Sequence, residues 1–201
     1  MSHPKHAPAE HDVHDLIRHR WSPRAFDASR PVAKDDLLRL FEAARWAPSS
    51  LNEQPWRFIF ATKNEQSGAW RALVASLSQS NQTWAVAAPV LVLAVVRLTL
   101  ERNESANPLA WYDAGQAVAL LSVQATSQGL SVRQMEGFDK EKARQACGVP
   151  DGFDPIVVMA IGYVGDPNAL PNEKHREAER KPRQRKSLTD FVFEDRWGQP
   201  G

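Results

Sequence analysis

Cysteine is almost absent from this sequence: Cys147 is the single one among 201 residues. One thiol excludes an intrachain disulfide framework and favours a reducing compartment. Cys147 lies near the predicted end of a helix, so we interpret it as a small buried side chain rather than as a nucleophile.

The chain also lacks a long hydrophobic run and a targeting segment. Its longest apolar stretch, Ala85 to Val96, is about twelve residues long, which is too short to cross a bilayer. No basic region followed by an apolar one stands at the N-terminus, so the sequence predicts no signal peptide. The formal net charge of +1 indicates no general attraction to nucleic acid or to membranes. We therefore predict a soluble, cytoplasmic protein without a nucleic-acid or membrane partner.

Short catalytic motifs are missing as well. The sequence contains no G-x-G-x-x-G, P-loop, G-x-S-x-G, H-E-x-x-H or C-x-x-C. Standard sites for a dinucleotide, a hydrolysed triphosphate, an acyl-enzyme or a structural zinc ion are thereby excluded. Four histidines cluster near the N-terminus, but no acid or cysteine completes a fixed geometry there, so we predict no metal site. These histidines are His3, His6, His11 and His14.

The length indicates one domain with a core of its own. We predict a flexible tail over residues 1–11 and a single domain over residues 12–195. Apolar periodicity predicts the elements. One helix is predicted to start at Asp12, and further helices are predicted over 35–47, 64–79, 108–128 and from Asp139 to Gly148. The predicted strands cover 57–61, 89–96, 130–135 and 155–163. Asn81 and Gln82 are predicted to interrupt the 64–79 helix. The 108–128 helix is apolar on nearly every face, so it must be buried centrally or in a subunit interface.

A stiff polar loop, residues 46–56, separates a predicted helix from a predicted strand. Pro48 and Pro55 restrict the backbone at two points. Short polar side chains at fixed positions suit a site that reads the polar edge of a small planar ligand. These side chains are Ser49, Ser50 and Asn52. An ordinary helix-to-strand loop is the alternative, and from the loop alone it is the more common one.

Two arginine clusters stand near opposite ends of the chain. The first, residues 18–26, has four cations within seven residues, and Pro23 breaks the helix there. A solvated basic face is the usual meaning of such a cluster. The interleaved Trp21 and Ser22 better suit a phosphate or other anion held by forked guanidinium groups. The second cluster is Arg183 with Arg185. Together with the loop, the clusters indicate a site for a phosphorylated, planar small molecule, which residues and spacing alone do not name.

Three segments, in their order along the chain, resemble the FMN-dependent nitroreductase family. They are Arg20-Trp21-Ser22-Pro23-Arg24-Ala25-Phe26, Ala47-Pro48-Ser49-Ser50-Leu51-Asn52-Glu53-Gln54-Pro55-Trp56 and Glu136-Gly137-Phe138-Asp139. The resemblance runs from about residue 15 to about residue 193, and the central segment is its most specific part. It implies an α+β fold of nitroreductase type, with a mainly antiparallel central sheet flanked by helices. It also implies an intertwined homodimer with two FMN sites at the subunit interface.

The resemblance implies a role for particular residues. Arg20, together with Arg183 and Arg185, matches positions that hold the FMN phosphate. Trp21 and Ser22 match positions where the chain meets the phosphate, the ribityl chain or the ring edge. The partner subunit is expected to supply Pro48, Ser49, Ser50 and Asn52.

The ring of the flavin is expected to meet three further regions. Arg24 matches a cation near its N1 and C2-oxygen edge, and Asn81 matches a residue that bonds the pyrimidine edge. The segment from Gln134 to Gly137, which includes Glu136, matches a segment that lines the dimethylbenzene side of the ring. A backbone N–H of that segment is expected to bond N5. Trp84 stands where some relatives carry a lysine near the flavin, which bears on the size and polarity of the pocket.

The implied activity is that of an FMN oxidoreductase that oxidises NADH or NADPH and reduces a nitroaromatic, a quinone or a similar acceptor. Hydride would pass through flavin N5 in a ping-pong cycle, and no side chain is assigned as nucleophile or general acid. Two alternatives stay open. One is a flavoenzyme of the same fold with another reaction, dehalogenation or flavin fragmentation, although segment 98–107 is short for the lid of such relatives. The other is a non-catalytic FMN-binding protein or an interaction module.

Overall fold

The computed structural model describes residues 5–64 and 67–199, which form a layered α+β domain. The helices are α1 (Asp15–His19), α2 (Lys34–Arg45), α3 (Gly68–Ser76), α4 (Gln79–Ala85), α5 (Ala110–Ser127), α6 (Lys140–Cys147) and α7 (Glu173–Arg180). The strands are β1 (Trp56–Thr62), β2 (Val90–Arg97), β3 (Ser131–Met135) and β4 (Phe153–Gly162). Short 3₁₀ turns cover Ser50–Asn52, Pro167–Ala169 and Leu188–Asp190.

The four strands form one sheet in the order β1-β2-β4-β3, and every neighbouring pair is antiparallel. On one face, alternate β2 residues such as Val92 pack with α2 and α5. On the other face, residues such as Leu93 pack with α3, α4 and α6. Because helices cover both faces, β2 is an unbroken run of buried residues from Val90 to Val96. The predicted fold class and the prediction of a strand covered on both faces are confirmed.

Local signals at the helix ends explain why several predicted boundaries are close to the observed ones. In α2, Asp35 and Asp36 occupy the first turn, where carboxylates favour the positive end of the helix dipole. In α6, the carboxylate of Asp139 accepts from the amide of Lys142 at 3.0 Å. Gly148 then ends α6 in the left-handed conformation that glycine adopts most readily.

The helix predicted over residues 64–79 is observed as α3, which is shorter, and residues 65 and 66 of that prediction lie outside the described residues. The structure has two helices, α3 and α4, joined at Leu77, whose backbone is extended and pairs with Phe138. Ser78 then caps α4 through its side chain, so Asn81 and Gln82 lie inside that helix instead of interrupting it. A contact with a distant segment therefore divides a stretch whose apolar periodicity is continuous.

The N-terminal segment makes specific contacts from Lys5 onward. Lys5 is buried and donates from Nζ to the carbonyls of Ala178 at 2.7 Å and Lys181 at 2.6 Å, at the end of α7. Ala7 donates its amide N–H to the carbonyl of Arg18. The division into a flexible tail over 1–11 and a domain over 12–195 stays a prediction, but its tail includes this buried lysine.

Helix α5 is covered on one side only. Ala114 and Leu121 face the core, whereas Trp111, Tyr112 and Leu120 are 48%, 67% and 39% exposed. Of the two predicted settings for this helix, a central one does not fit this chain alone, and a subunit interface stays a prediction. Among the residues described, no helix is both long enough and apolar enough to cross a membrane.

Candidate functional site

The turn from Arg20 to Phe26 is built onto the end of β4. Arg20 ends α1, and its amide donates to the carbonyl of Leu16. Phe26 then pairs with Val164 as an isolated antiparallel bridge, which fixes where the turn leaves the sheet. Gly165 lies so close to Phe26 that an added Cβ would approach the Phe26 backbone to 2.6 Å. The sequence thus anchors the C-terminal end of this turn by backbone contacts that leave no room for a side chain at position 165.

The two arginine clusters, far apart in sequence, meet in space. The guanidinium of Arg183 donates to the carbonyls of Arg18 and Arg20. Arg20 in turn lies 3.4 Å from the hydroxyl of Ser22, measured from Nη1 to Oγ. A cleft of about 810 Å³ opens beside them. Its lining includes Val13, Ile17, Leu188 and Phe191 on the apolar side, and Arg20, Arg183, Arg185, Lys186 and Glu10 among its charged groups.

The electrostatics of this cleft favour an anion. Burial, followed by the charge of Arg185, lowers the pKa of Arg20. Burial, followed by the charges of Arg20 and Arg185, lowers the pKa of Arg183. The buried Nε of Arg183 has no hydrogen-bond partner within 5–64 and 67–199. A doubly charged, oxygen-rich group such as a phosphate would relieve the repulsion between these guanidinium groups and supply acceptors.

A second charged cluster lies behind the turn, and sequence reasoning missed it. Glu179 on α7 is buried, and its carboxylate accepts the amide N–H groups of Arg24 at 3.1 Å and Ala25 at 3.3 Å. Arg133 on β3 donates from Nη1 to the carbonyl of Ser22 at 2.6 Å. Nothing in the sequence of α7 separates Glu179 from its acidic neighbours. The one available signal was an arginine in the middle of a predicted strand.

Asn81 and Gly137 are brought together from different segments. Asn81 donates from Nδ2 to the carbonyl of Gly137 at 3.1 Å, and the same carbonyl accepts the amide of Ser78 at 2.9 Å. A Cβ added at Gly137 would lie only 3.1 Å from Asn81 Nδ2 and 3.2 Å from Ser78 Oγ. Two of the predicted site residues therefore form one junction between α4 and the loop after β3. The neighbouring Gln134 and Glu136 are exposed.

The Pro48–Asn52 segment is attached to α5. Its Ser50 amide donates to the buried carboxylate of Asp113 on α5 at 3.1 Å, and the Ser49 hydroxyl accepts the amide of Gln54 at 3.1 Å. Three residues in this loop adopt positive φ without being glycine, namely Leu51, Asn52 and Gln54. Such strain persists where surrounding contacts fix it, and it is common at functional sites. This segment does not contribute to the lining of the arginine cleft of the same chain.

Trp84 and Trp21 occupy different environments. Trp84 is 1% exposed and stacks on Phe26 with 6.3 Å between ring centres, so it belongs to the core in this chain rather than to an open pocket. Trp21 is partly buried, and the ammonium of Lys5 lies 5.2 Å from its ring centre. The position that the family resemblance associates with the flavin is thus filled in this chain by an interior side chain.

Two other features of the sequence are Cys147 and the N-terminal histidines. Burial raises the pKa of the Cys147 thiol, which disfavours the reactive thiolate. Within the part of the chain that the structure describes, no three His, Cys, Asp or Glu side chains form a group able to hold a metal ion. His3 lies outside the described residues.

Comparison with known proteins gives consistent matches. A family model described as the nitroreductase family matches residues 17–163. A solved structure described as an oxidoreductase containing FMN is 35% identical, with a TM-score of 0.89, and the match covers 99% of this chain and 100% of that one. The major NAD(P)H-flavin oxidoreductase of Aliivibrio fischeri is 32% identical over 90% of this chain and 96% of its own length. An uncharacterized 15.4 kDa protein of Mycolicibacterium smegmatis is 38% identical over 72% of this chain and 99% of its own.

Proposed function

Because the chain belongs to the nitroreductase family, we propose that it is an FMN-dependent oxidoreductase that takes electrons from NADH or NADPH. The acceptors in this proposal are nitroaromatics, quinones or similar molecules, used in turn with the nicotinamide in a ping-pong cycle. The names of two relatives support the cofactors: one contains FMN, and the other is an NAD(P)H-flavin oxidoreductase. The single observation that carries the proposal is the meeting of Arg20 with Arg183 and Arg185 beside one cleft.

The residues at the cleft fit the phosphate of FMN. Arg20, Arg183 and Arg185 present an excess of positive charge, and the unpartnered Nε of Arg183 is a buried donor. Ser22 adds a hydroxyl next to Arg20. Trp21 would contribute its backbone and its ring surface. Guanidinium groups suit phosphate because their planar fork of N–H donors matches its oxygens.

The flavin ring would be met by Arg24, by Asn81 and by the segment from Gln134 to Gly137. When bound, FMN supplies the electron transfer, since it accepts a hydride equivalent from the nicotinamide and passes the electrons on. Arg24 would place a positive charge where negative charge develops during reduction, and such preorganised electrostatics lower the barrier. Asn81 and the segment from Gln134 through Glu136 to Gly137 would fix the orientation of the ring by hydrogen bonds and contact.

We further propose a homodimer in the cytoplasm. We call the loop segment that contains Pro48, Ser49, Ser50 and Asn52 the rim. The rim does not line the cleft of its own chain, so in this proposal a second copy of the chain supplies it to the flavin. The exposed side of α5 supplies apolar surface for such an interface. The alternative of a lidded flavoenzyme has less support, because residues 98–107 form a tight hairpin in which Leu98 accepts the amide of Asn107 at 2.8 Å.

The direct test is a cofactor titration of the purified protein. We expect it to bind FMN and, without oxygen, to lose the yellow flavin absorption when NADH or NADPH is added. Arg20→Ala should raise the Kd for FMN by at least about tenfold, because a charge-assisted phosphate contact is lost.

Arg39→Ala is the matched control for Arg20→Ala. Arg39 is exposed on α2 and pairs with Asp36 at 2.9 Å, so its loss should leave the Kd for FMN unchanged. Protein that stays colourless after FMN is added would refute the proposed function. An Arg20→Ala protein with the wild-type Kd would refute the assigned phosphate site.

A further inference from the structure

Arg133 is a charged side chain that projects from a strand of the central sheet. Its guanidinium is fixed on two sides. Nη1 donates to the carbonyl of Ser22, and the guanidinium carbon lies 5.2 Å from the ring centre of Trp84. Trp84 cannot easily move, because it is fully buried and stacked on Phe26. The core of the protein therefore sets the position of this guanidinium relative to the turn.

The same turn is held at its next residues by Glu179. The carboxylate accepts the amides of Arg24 and Ala25, while Arg133 binds the carbonyl of Ser22. A cation on a carbonyl and a carboxylate on amides are both charge-assisted hydrogen bonds, which are stronger than neutral ones. Residues 22–25 are thus clamped between β3 and α7.

Arg133 also adds positive charge next to Arg24. Burial, followed by the charge of Arg24, lowers the pKa of Arg133 to about 10, and Glu179 acts in the opposite direction. Arg133 remains protonated at neutral pH, so its positive charge adds to that of the nearby Arg24. Their joint field favours negative charge on a neighbouring ligand.

We infer that Arg133 is a positioning residue for the flavin: it holds the Ser22–Arg24 turn in place and, together with Arg24, makes the bound flavin easier to reduce. This inference rests on the proposed function. The hydrogen bond to Ser22 requires only a donor, whereas the effect on reduction requires a charge. The two contributions can therefore be measured separately.

Three substitutions separate these contributions. Arg133→Lys keeps a charge and a donor, Arg133→Gln keeps a donor without the charge, and Arg133→Met keeps neither. The measurements are the midpoint potential of the bound flavin and the Kd for FMN. We expect the Lys variant to have a potential near the wild-type value, and the Gln and Met variants to have more negative potentials. We expect the Met variant to raise the Kd about tenfold, the loss of one charge-assisted hydrogen bond, and the Gln variant to raise it less.

Arg144→Gln is a matched control. Arg144 on α6 is also partly buried and donates to backbone carbonyls, those of Pro150 at 2.9 Å and Phe153 at 2.8 Å, but it lies outside the turn. Its loss should leave the potential and the Kd unchanged. If the Arg133 variants lower the Tm but leave the potential and the Kd unchanged, Arg133 is merely structural and the inference is wrong.

The outcomes distinguish this inference from the proposed function. Wild-type protein that binds FMN and is reduced by NADH or NADPH supports the proposed function whatever the Arg133 variants show. Wild-type protein that binds no FMN overturns both.

Discussion

Glu179 keeps a carboxylate almost entirely away from water, with 5% of its surface exposed. Burial of a charge is costly unless the charge is paired and hydrogen-bonded. Here two backbone amides donate to the carboxylate, and its negative charge acts on both Lys5 and Arg133. The N-terminal segment, the turn, β3 and α7 are therefore coupled through one side chain.

Removal of this carboxylate should destabilise the whole domain. We expect Glu179→Ala to lower the free energy of unfolding by about 3 kcal/mol, because buried cations and amides lose their partner. Equilibrium unfolding in urea at neutral pH measures this. Glu177→Ala is the control on the same helix. Glu177 is exposed and its ion pair with Lys181 is long, at 3.9 Å, so its loss should change stability by less than about 0.5 kcal/mol. Equal losses in the two variants would contradict the role given to Glu179.

At this scale, the sequence could predict residues that belong to a local motif. Arg20 and Arg24 stand in such a motif, and the structure does bring Arg183 to Arg20. Glu179 and Arg133 could not be predicted, because their partners lie 155 and 111 residues away in sequence. Their function depends on how α7 and β3 pack around the turn, which residue type and spacing do not encode.

Among the elements, α4 packs closely against the loop after β3 at Gly137. The carbonyl of Gly137 accepts hydrogen bonds from both Ser78 and Asn81, and its Cα faces those two side chains. A Cβ at position 137 would force the side chain of Asn81 or Ser78 to shift by a few tenths of an ångström. The orientation of Asn81, which we assign to the flavin ring, depends on this junction.

Gly137→Ala should therefore be destabilising. We expect a loss of about 1–3 kcal/mol from overpacking, together with weaker binding of FMN. Thermal unfolding and an FMN titration measure the two effects. Gly68→Ala is the control, because Gly68 begins α3 with nothing within 4 Å of an added Cβ, and it should cost nothing. A Gly137→Ala protein as stable as Gly68→Ala would show that the junction can relax.

The same junction shows where prediction of elements fails. Helices with local end signals, the acidic first turn of α2 and the Asp139 cap of α6, are predicted to within a few residues, and the buried β2 follows from its apolar run. The division between α3 and α4 is not predictable in this way, because Leu77 is held extended by Phe138 from beyond β3. Ser78 is a possible N-cap in sequence, but only this distant contact makes it one.

For the whole molecule, the residues that we assign to the FMN site lie in two regions, and residues 48–52 do not line the arginine cleft of their own chain. The arginine cleft forms between the N-terminal segment and the C-terminal tail, whereas the polar Pro48–Asn52 segment is fixed to α5 by Asp113. The exposed Trp111 and Tyr112 stand on the same helix as Asp113, directly before it in sequence. A second copy packed on α5 would bury its apolar side chains and could carry the rim of one chain to the cleft of the other.

A charge in the middle of this helix face tests that arrangement. Leu120 is 39% exposed on α5, and Leu120→Lys would place an ammonium in the proposed interface, where desolvation without a partner is unfavourable. We expect the variant to be a folded monomer with weaker FMN binding, measured by light scattering coupled to size-exclusion chromatography and by titration. Ala75→Lys is the control. Ala75 is exposed on α3, across the sheet from α5, so the Ala75→Lys protein should remain a dimer. A Leu120→Lys protein that keeps both the dimer and its FMN affinity would place the interface on another surface.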